Sequence, residues 1–229
     1  MVCWDRLHRD HGASDMDRGK INRRLTELQD ALRTRRIETG ETGWYLTGDP
    51  AIALPSDKLR ACRVSGSRSQ FYQRLDSPKK VVETGTRDGD AALQIMRELD
   101  PLNLVCIDAN FRALDLHRMA PFIDRIRLRP GKPWVQLETF SDDSFDLLVL
   151  AGVTDPQYVM RCLDAGLRVV KRGGSILCAG FTNWSPGSMQ PNGVYGAVCE
   201  FLDRSDVELS HIILQPRAFH DAVLRIVSK

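Results

Sequence analysis

The segment Val81-Val82-Glu83-Thr84-Gly85-Thr86-Arg87-Asp88-Gly89-Asp90 sets one acid beside two glycines four positions apart. Two β-branched residues lead into Glu83, and Ala91-Ala92-Leu93-Gln94-Ile95-Met96-Arg97-Glu98-Leu99 follows with the composition of a helix. A strand, a glycine turn and a helix let backbone lie directly against a nucleotide-like ligand. Gly85 and Gly89 permit the tight turn, and N–H groups at the helix start can receive a carboxylate. Glu83, at the strand's carboxyl end, can meet an ammonium directly or through water. A second strand, Leu104-Val105-Cys106-Ile107-Asp108, ends in an acid 23 residues after Gly85 (108 − 85). That is near the ~20-residue separation of a ribose-binding acid, and the two oxygens of one carboxylate suit a vicinal diol. The pair describes a site for an adenosine-containing cofactor.

A dinucleotide is the main rival ligand. Its G-x-G-x-x-G fingerprint is absent, because position 87 is Arg and position 90 is Asp. A pyrophosphate would also be repelled by Asp88 and Asp90. The pattern G-x-x-x-x-G-K-[ST] is absent too.

The elements that must position these residues alternate from Lys79 onward. Strands are expected at Lys80 to Thr84, Leu104 to Asp108, Arg125 to Leu128, Phe145 to Leu150 and Ser175 to Ala179. Helices are expected at about Asp90 to Leu99, Leu114 to Phe122, Trp134 to Phe140, Gln157 to Val170 and Val194 to Leu202, with Gly173-Gly174 as a turn. Leu209 to Gln215 and Ala222 to Val227 close the chain without an intervening helix. The expected fold is α/β, a Rossmann-like seven-stranded, mostly parallel sheet with an antiparallel edge hairpin. A small N-terminal helical segment precedes it.

Composition shifts near Asp76-Ser77-Pro78, so residues 1–77 read as a separate segment and 78–229 as the ligand-binding domain. Asp17 to Arg36 reads as a helix, with Ile21, Leu25, Leu28 and Leu32 on one stripe. Its arginines form either a solvated face or a surface for a partner helix or acidic ligand. Ser56 is placed to cap a second helix, and Phe71, Tyr72 and Leu75 form an apolar face before the first strand. The segment, with Trp44 and Tyr45, could serve as a lid or a homodimer surface.

The 229 residues carry a net charge of +2 and 42% hydrophobic residues, enough for one sizeable core and too balanced to favour nucleic acid. No apolar run approaches ~18 residues, so no membrane span is expected, and Met1 to Asp10 has no apolar signal core. The six cysteines (3, 62, 106, 162, 178, 199) form no C-x-x-C pair. They read as reduced thiols in a cytoplasmic protein.

The order of elements resembles a class I S-adenosylmethionine-dependent methyltransferase. Val81 to Gly89 is similar to that family's E/D-x-G-x-x-x-G motif, and Leu104 to Asp108 to its ribose-binding strand. Phe145-Asp146-Leu147-Leu148-Val149-Leu150 resembles the family's fourth strand, and Val169-Val170-Lys171-Arg172-Gly173-Gly174-Ser175-Ile176-Leu177 its approach to the fifth. Gly193-Val194-Tyr195-Gly196-Ala197-Val198-Cys199-Glu200-Phe201-Leu202 resembles a helix of the macrocin-type sugar O-methyltransferase branch. The resemblance covers roughly residues 78 to 229. It implies S-adenosylmethionine as cofactor, held by Glu83, Gly85, Thr86, Arg87, Gly89, Asp108, Ala109 and Ala151. It also implies methyl transfer to a small-molecule acceptor, an O-methylation of secondary metabolism.

That branch commonly binds a divalent cation through acids ending the fourth and fifth strands. Here Leu150-Ala151-Gly152 and Cys178-Ala179-Gly180 stand there. A hard cation wants carboxylate oxygens, so no metal is expected. His117 follows the second strand and is the best-placed histidine for a base, or else a surface helix residue. Asp155-Pro156-Gln157-Tyr158 resembles the D-P-P-Y motif of amino methyltransferases; Asp155-Pro156 equally suits a helix cap. Asp155, Tyr158 and His117 are the catalytic candidates. Trp184, in the loop after the fifth strand, could wall an acceptor or tuck onto the core. The alternative function is a protein of this fold that binds the cofactor or a metabolite without methylating.

Overall fold

The structure, a computed structural model, describes residues 53–185, 190–204, 206–215 and 220–228, with eight helical positions between 20 and 34. By its internal contacts the chain divides into Met1–Ala51 and Ile52–Lys229, where the sequence suggests a boundary at 77/78. In the first unit Lys20, Arg23, Arg24, Thr26, Glu27, Asp30, Ala31 and Thr34 are helical and exposed, as the helix expected over 17–36 requires. Its apolar stripe, Trp44 and Tyr45 lie outside the described residues.

The second unit begins with α1 (Ser56–Leu59), β1 (Arg63–Ser65) and α2 (Arg68–Tyr72). Then come β2 (Lys80–Thr84), α3 (Asp90–Glu98), β3 (Asn103–Asp108) and α4 (Leu116–Met119), which runs into a 3-10 turn at Ala120–Arg125. β4 (Ile126–Pro130), α5 (Pro133–Glu138), β5 (Phe145–Leu150), α6 (Pro156–Val169) and β6 (Val170–Cys178) follow. A two-residue ribbon joins β7 (Trp184–Ser185) to β8 (Gln190–Pro191). α7 (Val194–Phe201), β9 (Val207–Leu214) and β10 (His220–Ile226) complete it.

Eight strands form one sheet in the order β1-β9-β10-β6-β5-β2-β3-β4. Only β10 runs antiparallel to its neighbours β6 and β9. The near-continuous apolar runs of β2 and β5 follow from burial on both faces. Leu147 and Val149 point into one cluster with Val81, Leu104, Ile95 and Phe71. Leu148 and Leu150 point into the other, with Val82, Ile176, Leu163 and Val198. Full burial of each such side chain contributes about 1.5–3 kcal/mol. α6 buries Val159, Cys162, Leu163, Gly166 and Val169, one stripe at helical spacing. Gly166 lets it sit close, since a Cβ there would be 2.8 Å from Leu148 Cδ2.

Three expectations need correction. The sheet has eight strands, because Arg63–Ser65 pairs in parallel with β9 through Arg63↔His211, Val64↔Ile212 and Ser65↔Ile213. The antiparallel β9–β10 hairpin stands at this end of the sheet as expected, with the short β1 outside it satisfying backbone groups that β9 would otherwise expose. Gly173-Gly174 is not a turn but part of β6, within an irregularity where Phe145↔Val170 gives way to Leu147↔Ser175. Ser56 does not cap α1; Pro55 occupies that position with no side-chain bond. The cap that does form is Ser67, which accepts from the Gln70 N–H at the start of α2.

Candidate functional site

The chain runs from β2 outward to β3 and β4, then returns to β5 and β6 on the other side of β2. Ligands of open α/β sheets bind at the carboxyl ends of strands where the order reverses. Here that point lies between β2 and β5, and the loops after the two strands touch. Gly85 (φ +66°) and Gly152 (φ +73°) face each other. A Cβ on Gly85 would fall 2.7 Å from the Ala151 carbonyl oxygen, and one on Gly152 would fall 2.8 Å from Gly85 Cα. Thr84 Oγ1 locks the junction, donating to the Ala151 carbonyl at 2.8 Å and accepting its N–H at 2.9 Å. Thr84 and Gly152 were not singled out by the sequence, where a Thr ending a strand and a Gly in a loop look ordinary.

Replacing Gly85 with alanine should therefore cost more than left-handed backbone alone. Gly173→Ala is the reference, since φ there is +79° and a Cβ meets nothing within 4 Å. Both variants bear about 1–2 kcal/mol for the conformation. Gly85→Ala should lose roughly a further 1–3 kcal/mol through forced backbone movement. Equal urea midpoints for the two would show that the Gly85–Ala151 approach is of no consequence.

Glu83 is 1% exposed and Thr86 2%. Thr86 donates its hydroxyl to Glu83 Oε2 at 3.1 Å. Glu83 Oε1 is buried with no hydrogen-bond partner among the described residues, and so is the Tyr72 hydroxyl. Burial pushes the Glu83 carboxyl up to about 7, although the Thr86 hydroxyl and the Arg68 charge pull the other way. Burial also raises the Tyr72 phenol.

Asp108 ends β3 as expected. Its Oδ2 accepts the Arg87 N–H at 2.8 Å and its Oδ1 the Asn110 N–H at 3.3 Å, which ties the β2 turn to β3. Arg87 is exposed, at φ +52°. Gly89 (φ +89°) caps α3, where a Cβ would meet Leu114 Cδ1 at 2.7 Å. Glu83, Gly85, Thr86, Arg87, Gly89, Asp108, Ala109 and Ala151 are thus gathered around the carboxyl ends of β2, β3 and β5.

The acceptor-side candidates are more dispersed. Asp155 caps α6, its Oδ1 accepting the N–H groups of Gln157 at 2.9 Å and Tyr158 at 3.2 Å, with Pro156 at the first helical position. The capping alternative is thereby realised. Tyr158 stacks on Trp134 of α5 at 4.0 Å with 4° between the ring planes, and Lys132 Nζ lies 5.7 Å from the same indole. His117 sits exposed on α4. Trp184 is half-buried in the β7–β8 ribbon, and Phe181 stacks on Tyr195 at 4.8 Å. Among the described residues no group of three or more His, Cys, Asp or Glu could hold a metal ion. Cys106, Cys162, Cys178 and Cys199 are free and buried, and Cys62 is free and half-buried.

A second polar cluster was missed altogether. Asp221, 1% exposed on β10, accepts from Arg68 Nε at 2.7 Å and Arg68 Nη2 at 3.1 Å. It also accepts from Gln215 Nε2 at 2.6 Å and the Gly180 N–H at 3.1 Å. This links α2 to the start of the loop that follows β6.

No family model matches the chain. A ubiquinone/menaquinone biosynthesis C-methyltransferase, UbiE of Bartonella bacilliformis, is 28% identical over 113 residues, which is 45% of this chain and 42% of that protein. The chain thus spans less than half the length of that relative. Among solved structures, a Klebsiella pneumoniae protein described as a candidate O-methyltransferase superposes with a TM-score of 0.58 at 18% identity, covering 80% of this chain and 85% of that one. Cofactor-bound Rv0187 from MTB gives 0.59 at 15%, covering 79% and 84%. An O-methyltransferase family protein from Burkholderia thailandensis gives 0.52 at 13%, covering 70% and 55%. The chain has the Rossmann-like α/β fold of the class I S-adenosylmethionine-dependent methyltransferases.

Proposed function

We propose that the protein is an S-adenosylmethionine-dependent methyltransferase acting on a small-molecule acceptor. The observation that carries this reading is the pairing of a buried, unpartnered Glu83 oxygen with the glycine turn that follows it. An acid held at 1% exposure, whose Oε1 meets no hydrogen-bond geometry among the described residues and has only the weakly polar Cys106 thiol as a neighbour, fits a ligand that brings its own cation. In this reading Glu83 meets the ammonium of the cofactor, the turn 85–89 lies along it, and Asp108 takes the ribose diol. Ala151 and Ala109 border the adenosine. The cofactor supplies a methyl group on a sulfonium, an electrophile that needs alignment more than activation.

The chain's own residues then orient the acceptor and take its proton. Asp155 leaves Oδ2 free of hydrogen bonds among the described residues while Oδ1 caps α6. It is therefore the proposed base, with Tyr158 beside it and His117 as the further candidate. Alanines follow β5 and β6 directly, at 151 and 179, so the proposed transfer is metal-independent. An oxygen acceptor from secondary metabolism, a cytoplasmic setting and a role for residues 1–77 as lid or homodimer surface belong to the same proposal. Among the described residues no helix is long and apolar enough to cross a membrane.

Asp108→Asn tests the ribose contact. A charge-assisted hydrogen bond contributes about 1.5–3 kcal/mol, so affinity for S-adenosylhomocysteine should fall about ten- to a hundredfold by calorimetry. An unchanged affinity removes the assignment. The same lack of acids at Ala151 and Ala179 also favours a second reading, a protein that binds the cofactor without transferring methyl. Binding that survives EDTA, with methyl transfer to an acceptor from a metabolite extract, supports the first reading. Binding without turnover on any acceptor supports the second.

A further inference from the structure

At the opposite end of the sheet from Glu83 lies a cleft of about 790 Å³. It is bounded by the amino ends of β1, β2, β5, β6 and β9 and by Arg225 near the end of β10. Phe71, Leu75 and Leu147 give it an apolar wall.

Its charges do not cancel. Asp146 is saturated, taking Lys171 Nζ at 2.9 Å and the N–H groups of Lys79 and Lys80 at 2.9 and 2.8 Å. Glu208 faces Arg225 at 3.8 Å. Four cations remain without a carboxylate among the described residues. Arg74 donates to the Ser65 hydroxyl at 3.2 Å, and Arg172 to the Val227 carbonyl at 3.0 Å. The side chains of Arg63 and Lys79 have no partner among the described residues. Against them stands only Asp76.

His211 lies near both Arg63 and Arg74. It is the Cα partner of Arg63 across β1–β9, so the two side chains share a sheet face. The Phe71 ring meets its imidazole edge-on at 5.1 Å. Ser210 Oγ donates its proton to the Val223 carbonyl at 3.0 Å, so His211 Nδ1, 3.2 Å from that oxygen, must donate to it. That leaves Nε2 as the unprotonated nitrogen, buried and without a hydrogen-bond partner among the described residues. Burial and then the charges of Arg74 and Arg63 hold the imidazole below its ordinary value, in keeping with their nearness.

We propose that this cleft is a second ligand site, which takes a small phosphorylated metabolite through Arg63, Arg74 and His211. Guanidinium forks match phosphate oxygens in pairs, and a bound anion would favour protonation of His211 Nε2 into a further donor. The volume lies within the ~300–1,000 Å³ of small-molecule sites, and the apolar wall accommodates a carbon skeleton. An extended nucleic acid is disfavoured by Asp76, by Glu208 and by a net charge of only +2. This site is independent of the methyl-transfer reading, because it lies at the other end of the strands.

Inorganic pyrophosphate is the probe, titrated by calorimetry into the full chain at fixed ionic strength. Saturable binding is expected, unaffected by saturating S-adenosylhomocysteine. Arg63→Ala, which removes no side-chain hydrogen bond among the described residues, should weaken it on the order of tenfold. Arg74→Ala should do the same. No binding at millimolar pyrophosphate, displacement by S-adenosylhomocysteine, or an affinity equal to the wild type's in both variants would overturn the proposal. So would tight binding of a single-stranded RNA that pyrophosphate fails to displace.

Discussion

Replacing Glu83 with glutamine should stabilise the ligand-free protein above neutral pH and weaken its hold on S-adenosylmethionine at the same time. Burial raises the carboxyl from 4.5 to about 7, so in the folded state its ionised form is the disfavoured one. The sign follows. Stability from this group is fully present below the unfolded value of 4.5, falls as pH rises towards the folded value, and is gone above about 7. The full excursion is worth about 3 kcal/mol. Glutamine keeps the shape without the charge, so Glu83→Gln should flatten this slope and exceed the wild type above pH 7 by up to about that amount. Cofactor affinity should move oppositely, because in the proposed binding mode the ionised carboxylate faces an ammonium. A loss on the order of tenfold or more is expected at pH 8, shrinking towards pH 5.5 as the wild-type acid becomes neutral. Urea unfolding and calorimetry at both pH values read the two effects. If the variant were no more stable at pH 8 and bound the cofactor equally well, Glu83 would be an ordinary core residue.

The second large effect is expected at Arg68. Arg68→Met leaves the Asp221 carboxylate, 1% exposed, with the Gly180 N–H and Gln215 as its remaining partners. Breaking a buried ion pair from one side costs about 3–5 kcal/mol. The Arg68 side chain keeps 19% of its surface, so solvent screening puts the expected loss nearer 2–4 kcal/mol. Adding Asp221→Leu should recover much of it, since two apolar partners leave no stranded charge. A single variant within 1 kcal/mol of wild type, or a double variant no better than the single, would count against this account. The pair also bears on the proposed acceptor side, because Asp221 anchors Gly180, where the loop to α7 begins.

These two residues show how far the sequence can be read. Glu83 stands out because its setting is local: two β-branched residues before it and a glycine two positions after. The cluster proposed to hold the cofactor comes from equally local signals, each member lying within a few residues of a strand end. Arg68 and Asp221 carry no such mark. They are 153 positions apart, and only the sheet brings them together. β1 was invisible because three residues, Arg63-Val64-Ser65, are too few for an alternation to register. Gly173-Gly174 misled in the other direction. Two adjacent glycines ordinarily mark a turn, yet here they let β6 bulge where Asp146 reaches Lys171. At Asp155 both readings of the residues stayed open, and the capping geometry uses one carboxylate oxygen while the other makes no hydrogen bond among the described residues.

The position of β1 has a bearing on how the molecule assembles during synthesis. β2, β3, β4 and β5 are near neighbours in the chain and adjacent in the sheet, so half of the sheet can form while the rest is still being made. β1 leaves the ribosome before all of them, yet its partner β9 is the second-to-last strand, and β9 meets the rest only through β10. Closing a loop of that length carries an entropic cost before any contact compensates it. Until β10 arrives, Arg68 must stay hydrated and the β9 edge open. The early-made α2 and the late-made β10 are thus joined by the last event of folding, and the interval before it is when the nascent chain most needs protection from pairing with strangers.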